Sequence, residues 1–237
     1  MIKIRNIYYM LAYAFYVLNE ESYKQVATED FEYASDLFAA ILAKGIANQI
    51  KRGLSREYIS RTEATTSPTG KIKVSASIAQ NTMLKKKLVC DYDEFTENSY
   101  MNKILKTTAM LLIRCPEVST QHKRALRKTM FYFSNVDEIN PRRIQWSSLR
   151  YHRNNATYQM LLNICRLVIE GMLMTEQAGS RKLSRYVDNQ RIYRLYEKFV
   201  LGYYHRHYPQ FNASPSFIDW NVDGGERKYL PIMKSDI

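Results

Sequence analysis

The stretch from Arg5 to Leu18 constrains this chain more than any other. Ile7, Met10, Leu11, Ala14, Phe15 and Leu18 recur at helical spacing behind Asn6, a residue suited to capping, while Tyr8, Tyr9, Tyr13 and Tyr16 occupy the remaining faces. A helix apolar on every side is expected to be buried, and its tyrosine hydroxyls then need polar partners from the segments wrapped around it. Lys3 and Arg5 give the run the look of a secretory leader, but Asn19-Glu20-Glu21-Ser22 follows instead of a small-residue cleavage site. It also falls short of the roughly 20 apolar residues that span a bilayer, so a cytoplasmic protein with no membrane partner is expected.

Charge sharpens the picture. Residues 1–60 are electrically neutral, and the whole net charge of +12 lies in the rest of the chain. A basic body behind a neutral opening fits a polyanionic partner, most plausibly nucleic acid, and equally fits a generally basic surface. Cys90, Cys115 and Cys165 are isolated in sequence, which suggests neither a zinc site nor a disulfide framework.

Further along, Thr28-Glu29-Asp30 opens a second helix expected over 31–51, with Gly53 as its stop. Residues 58–74 turn Thr-rich and extended, and Ser67-Pro68-Thr69-Gly70 predicts a β-hairpin with its tip at Thr66 to Gly70. An exposed probe and a hairpin folded onto its own domain satisfy that pattern equally. Leu88–Thr96 reads as a short strand. Its Asp91, Asp93 and Glu94 alternate along the chain and do not converge as metal ligands would.

Helices are expected over 98–114 and 121–133, the second carrying Lys123, Arg124, Arg127 and Lys128 on its wet side. Arg142, Arg143, Arg150 and Arg153 then cluster in sequence around Trp146 and Tyr151. Basic residues interleaved with aromatics suit a DNA-binding surface that follows phosphates, while arginines capping a Trp-centred core give the same pattern. After a helix over 158–174, Ala178-Gly179-Ser180 marks a boundary that divides the chain into domains 1–180 and 181–237. Beyond it come a helix over 189–207, with His205 and His207 as helix-end cations, a short strand at Phe217–Trp220, and a last strand from Tyr229.

Several of these segments carry a resemblance. They are Arg5-Asn6-Ile7-Tyr8-Tyr9-Met10-Leu11 with Tyr13-Ala14, Lys51-Arg52-Gly53-Leu54 with Tyr58, and Gly70-Lys71-Ile72. They continue with Asn102-Lys103-Ile104-Leu105-Lys106, Leu195-Tyr196-Glu197-Lys198-Phe199, and Leu230 to Ile237. In order and spacing they resemble the McrC family, the nuclease subunits of McrBC-type, 5-methylcytosine-directed restriction systems.

The resemblance implies an α+β chain: a mostly helical N-terminal domain with a β-hairpin projection, followed by the incomplete start of a restriction-endonuclease-like α/β domain. It implies a hexameric McrB-like AAA+ GTPase as partner, GTP being held by that partner, and modified double-stranded DNA as the target. Thr66, Ser67, Pro68, Thr69, Gly70, Lys71 and Lys73 are the expected partner contacts. Asp236 matches the family's first catalytic, Mg²⁺-binding carboxylate and Glu197 lies on the helix that can supply another, but the Asp-x-Lys strand that completes such a site is absent from this sequence. With most of a nuclease sheet missing, the helix at Ile192–Tyr203 is expected to show an uncovered apolar face, and residues from about 185 onward to be poorly ordered or packed differently. A non-enzymatic helical adaptor that binds nucleic acid or a partner ring is the alternative.

Overall fold

The computed structural model describes residues 4–15, 23, 26, 28–151, 156–177, 189–218 and 233–235. In chain order these form α1 (Ile4–Ala14), α2 (Ala34–Arg52), β1 (Glu57–Thr65), β2 (Lys71–Ile72), α3 (Val74–Ala79), β3 (Leu88–Thr96), α4 (Tyr100–Arg114), α5 (Thr120–Met130), α6 (Ala156–Gln177), α7 (Asn189–His207), β4 (Phe217–Ile218) and β5 (Met233–Lys234). Helices dominate, with a small sheet projecting from them, so the α+β class holds.

The axis of the body is α2 rather than α1. Leu37, Phe38, Ile41, Leu42 and Ile46 of α2 are buried, and α1, α4, α5 and α6 all pack against it. Gly45 lets α6 approach closely, since a Cβ there would lie 2.3 Å from Leu161 Cδ2. Gly53 ends the helix with φ +95°, a conformation costly for any residue with a Cβ, and its N–H bonds Ile50 O at 3.2 Å. Serines begin the next two long helices. Ser99 Oγ accepts the Asn102 N–H and Ser119 Oγ accepts the His122 N–H, both at 3.3 Å, satisfying donors that a helix start leaves open.

In place of burial on all sides, α1 lies at the margin of the body, with Tyr9 44 % exposed. Its other face receives α7. Tyr13 packs against Phe199, Tyr203 and His207, and its hydroxyl lies 2.8 Å from His207 Nε2. Leu195 is buried as well, so α1 covers part of the α7 face that was expected to be bare, while Tyr196 stays 52 % exposed. His205 and His207 thus both have specific partners, since His205 Nε2 bonds Ala213 O at 2.6 Å. The last strand is paired too: β5 runs antiparallel to β4, and the Ser235 N–H donates to Ser216 O at 2.7 Å.

The three-stranded sheet has the order β1-β3-β2, which corrects the expected hairpin. β1 and β2 do not pair with each other. β3 is nine residues long, lies between them, and pairs with β1 from Glu57↔Thr96 to Thr65↔Leu88. Residues 66–70 thus form a crossover to the far side of β3 instead of a hairpin tip.

Most of β1 is exposed, and apolar burial in this sheet is confined to Val89 and Cys90 of β3, which leaves the rest of its register to be fixed otherwise. Cross-strand polar pairs do that work. Ser60 donates to Asp93 and Thr62 to Asp91, both at 2.6 Å, Arg61 pairs with Glu94 at 2.9 Å, and the Tyr92 hydroxyl bonds Glu63. Lys73 Nζ lies 2.7 Å from Asp91 Oδ2, and Lys73 first, then Thr62, hold the Asp91 carboxyl below its ordinary range. A depressed carboxyl pKa contributes stability above the unfolded-state value that is lost as pH falls through the folded one. The protection factor of the Lys73 amide, whose N–H bonds Val89 O at 2.8 Å, should therefore fall below the ordinary carboxylate pKa. Asp91→Asn should remove that acid dependence, and an unchanged profile in the variant would assign it elsewhere.

Candidate functional site

The projecting sheet is tied to the helical body by one buried amide. Asn102, on the first turn of α4, is fully buried and donates through Nδ2 to Ser55 O at 2.9 Å and Glu97 O at 2.8 Å. Those carbonyls flank the sheet, one before β1 and one after β3, so a single side chain clasps both ends of the insertion. Tyr158 of α6 completes the clasp: its hydroxyl donates to Asn102 Oδ1 at 2.8 Å and accepts the Ser55 N–H at 2.7 Å. Burial pushes the Tyr158 hydroxyl up to about 12, so it stays protonated and able to donate. Outside the clasp, Arg56 Nη2 meets Glu97 Oε1 at 2.6 Å, and Glu57 Oε1 accepts the Tyr100 N–H at the start of α4 at 2.9 Å. The result is a sheet held at its root, with β1 and β2 largely exposed and only Val89 and Cys90 of β3 buried.

Thr66, Ser67, Pro68, Thr69, Gly70, Lys71 and Lys73 are all exposed on this sheet. The crossover is stiffened by its own hydroxyls, with Thr65 Oγ1 donating to Ser67 O at 2.8 Å and Thr69 Oγ1 to the same carbonyl at 3.2 Å. Gly70 has φ +67°, and a Cβ there would fall 2.3 Å from Asp91 O, so glycine is required where the chain joins β3. The end farthest from the body is formed by α3 and the 3-10 turn Thr82–Lys85, a unit that the sequence reading did not anticipate.

The basic residues fall into two groups. Arg124, Arg127 and Lys128 are exposed on α5 and Lys123 is half-buried, while Arg142, Arg143 and Arg150 are exposed around two short 3-10 turns. Arg153 lies outside the described residues. Trp146 packs against the core with the Arg166 guanidinium 5.7 Å from its ring centroid.

A part-buried polar cluster around His122, where α5 meets α2, also escaped the sequence reading. His122 Nδ1 lies 2.7 Å from Asp36 Oδ1 and its Nε2 3.2 Å from Glu29 Oε2, with Phe31 against the ring. The Ser119 N–H donates to the same Asp36 oxygen at 2.9 Å, fixing the start of α5 against α2. Only the Ser119 cap had a local sequence signal, because the carboxylates come from far along the chain. Burial raises the thiols of Cys115 and Cys165, the latter to about 12, which suits inert core positions.

Of the two expected catalytic carboxylates, Glu197 is half-buried on α7, and Asp236 lies outside the described residues. Among the described residues no group of three or more His, Cys, Asp or Glu converges as a metal site would. Glu197 by itself offers a divalent cation one ligand of the several it needs.

Comparison with known proteins places these features. Residues 3–214 match the family model described as McrBC 5-methylcytosine restriction system component. The type IV methyl-directed restriction enzyme EcoKMcrBC of Escherichia coli K12 is 23 % identical over 241 residues, a match covering 100 % of this chain and 69 % of the relative. Two solved structures from Thermococcus gammatolerans share the fold. The McrBC complex aligns with TM-score 0.54 and 18 % identity, covering 69 % of this chain and 50 % of that one. A half-complex of McrB AAA+ hexamers with bound McrC aligns with TM-score 0.61 and 17 % identity, covering 98 % of this chain and 51 % of that one. The chain thus spans about half the length of the solved chains it matches. Matched by the family model over most of its length, it belongs to the McrBC 5-methylcytosine restriction system component family.

Proposed function

We propose that this chain is the ring-binding subunit of a modification-dependent DNA restriction complex, docking on a hexameric AAA+ GTPase through its projecting sheet and stimulating GTP turnover. The observation that carries the reading is the clasped, exposed sheet: a rigid probe whose strands gain little from the body that bears it. Family membership supports it, as does the Thermococcus gammatolerans assembly of McrB AAA+ hexamers with bound McrC. GTP belongs to the ring.

Modified double-stranded DNA would meet the basic residues of α5 and the Arg142–Arg150 region, and complete nuclease chemistry would use Mg²⁺ with Asp236 and Glu197 among its ligands. Among the described residues no helix is long and apolar enough to cross a membrane, and a cytoplasmic site of action fits a partner that consumes GTP and a substrate that is DNA.

Mixing the chain with the family's GTPase and a non-hydrolysable GTP analogue should give one large assembly by size-exclusion chromatography. Two separate peaks at micromolar concentration would refute the reading. Replacing Thr66–Lys71 by a Gly-Ser turn should lower stimulated GTP turnover while leaving the melting of the helical body unchanged. Full stimulation by that variant would move the contact off the crossover.

A further inference from the structure

The unit at the distal end of the projecting sheet has its polarity inverted. In α3 and the 3-10 turn Thr82–Lys85 two hydroxyl residues are turned inward, Ser77 being 0 % and Thr82 9 % exposed, while Ser75 stays at the surface. The apolar residues point outward, with Val74 57 %, Ile78 60 %, Met83 52 % and Leu84 85 % exposed. The inner side is a hydrogen-bonded scaffold. Ser77 Oγ donates to Lys73 O at 2.9 Å and accepts the Val89 N–H at 2.8 Å, Thr82 Oγ1 donates to Ser77 O at 3.2 Å, and the Lys87 N–H bonds Thr82 O at 3.1 Å. Asn81 (φ 52°) and Lys86 (φ 55°) adopt the left-handed conformation on either side of the turn, an arrangement that surrounding structure must impose on residues with a Cβ.

Single exposed apolar side chains are ordinary, but a group of them on a rigid scaffold built from buried hydroxyls marks an interaction surface. We propose that this apolar knob is the anchor of the projecting sheet, seating in an apolar cleft of the GTPase ring whose rim carries carboxylates for the exposed lysine run 85–87. The proposal rests on the ring-binding reading above and assigns the main contact to Ile78 and Leu84 rather than to the crossover 66–70. A second copy of this chain is a poor occupant, since two lysine runs would face one another. A lipid surface is a poor one too, because α3 has 6 residues, far fewer than an interfacial amphipathic helix uses.

The test compares full-length chains for affinity to the ring in the presence of a non-hydrolysable GTP analogue. Leu84→Ser should weaken binding about tenfold, and the Ile78→Ser/Leu84→Ser pair about a hundredfold, as expected when the centre of an interface is truncated. Changing Lys85, Lys86 and Lys87 together to Gln should slow association and flatten its salt dependence. Tyr9→Ser, an exposed residue on α1, should bind as the parent does. Unchanged circular dichroism and melting would confirm that the exposed substitutions leave the fold intact. If the parent binds the ring and the Ile78→Ser/Leu84→Ser pair binds equally well, the knob is not the anchor and the ring-binding reading survives. If the parent shows no binding, both fall. Leu84-dependent sedimentation with anionic vesicles, with ring affinity unaffected, would also overturn the proposal by assigning the knob to lipid.

Discussion

Replacing Asn102 with leucine should lower the free energy of unfolding by on the order of 3 kcal/mol, although the two side chains are close in volume. The substitution leaves Ser55 O and Glu97 O without the amide donor and takes the acceptor from the Tyr158 hydroxyl. Each buried polar group stranded in this way costs about 1–3 kcal/mol, reduced where water can enter. Tyr158→Phe should cost less alone, and the double variant should fall short of the sum because both changes disable the same network. Urea unfolding of the four proteins measures this directly. A loss under about 0.5 kcal/mol for Asn102→Leu would mean that the clasp contributes little to stability.

Gly202→Ala should destabilise the chain by about 2 kcal/mol, within the usual range for overpacking a close contact. A Cβ at this position would fall 2.4 Å from Tyr13 O, a backbone atom in the last turn of α1 that cannot rotate aside. The helix α7 must shift instead, weakening the 2.8 Å contact between Tyr13 and His207 and the packing of Phe199 on Tyr13. Gly45→Ala offers an instructive comparison, because its nearest obstacle is the end of the Leu161 side chain and is better able to yield. Thermal melting should rank Gly202→Ala as the more damaging of the two, and increased protease cleavage within α7 should accompany it. Equal melting temperatures for the two variants would show that α7 backs away from Tyr13 O as readily as the Leu161 side chain yields.

The helical body was largely legible in the sequence because its long helices carry apolar residues at helical spacing, with Gly53 at a stop; the Ser99 and Ser119 caps were not read. The sheet was not. Ser67-Pro68-Thr69-Gly70 signals a tight turn and invites the pairing of the segments beside it, yet β3 lies between them. What selects β3 is a series of hydroxyl–carboxylate and charge pairs between residues about thirty positions apart, such as Thr62 with Asp91, and a strand exposed on most of its length shows no hydrophobic alternation to betray its partner. The apparent burial of α1 failed for a related reason: aromatic residues on every face equally describe a helix with α7 on one side and solvent at Tyr9 on another. The expected partner contacts, Thr66 to Lys71, do lie exposed on the projection, whereas the apolar distal unit carries no motif and emerges only when burial is known. Asn102 stood inside a recognisable segment, but its task depends on Tyr158 and Ser55, which the fold alone brings beside it.

The register at the root of the sheet bears on how such chains diversify. Glu57 stands directly opposite Thr96, so the polypeptide leaves the body and returns to it as neighbouring antiparallel strands, with Cα atoms about 5 Å apart. Everything between them behaves as a cassette plugged into a two-pin socket. Its length, charge and distal surface can be rewritten, or exchanged for those of a relative, without disturbing a core residue of the helical body. A lineage can therefore remodel the projecting part while the scaffold beneath it stays still.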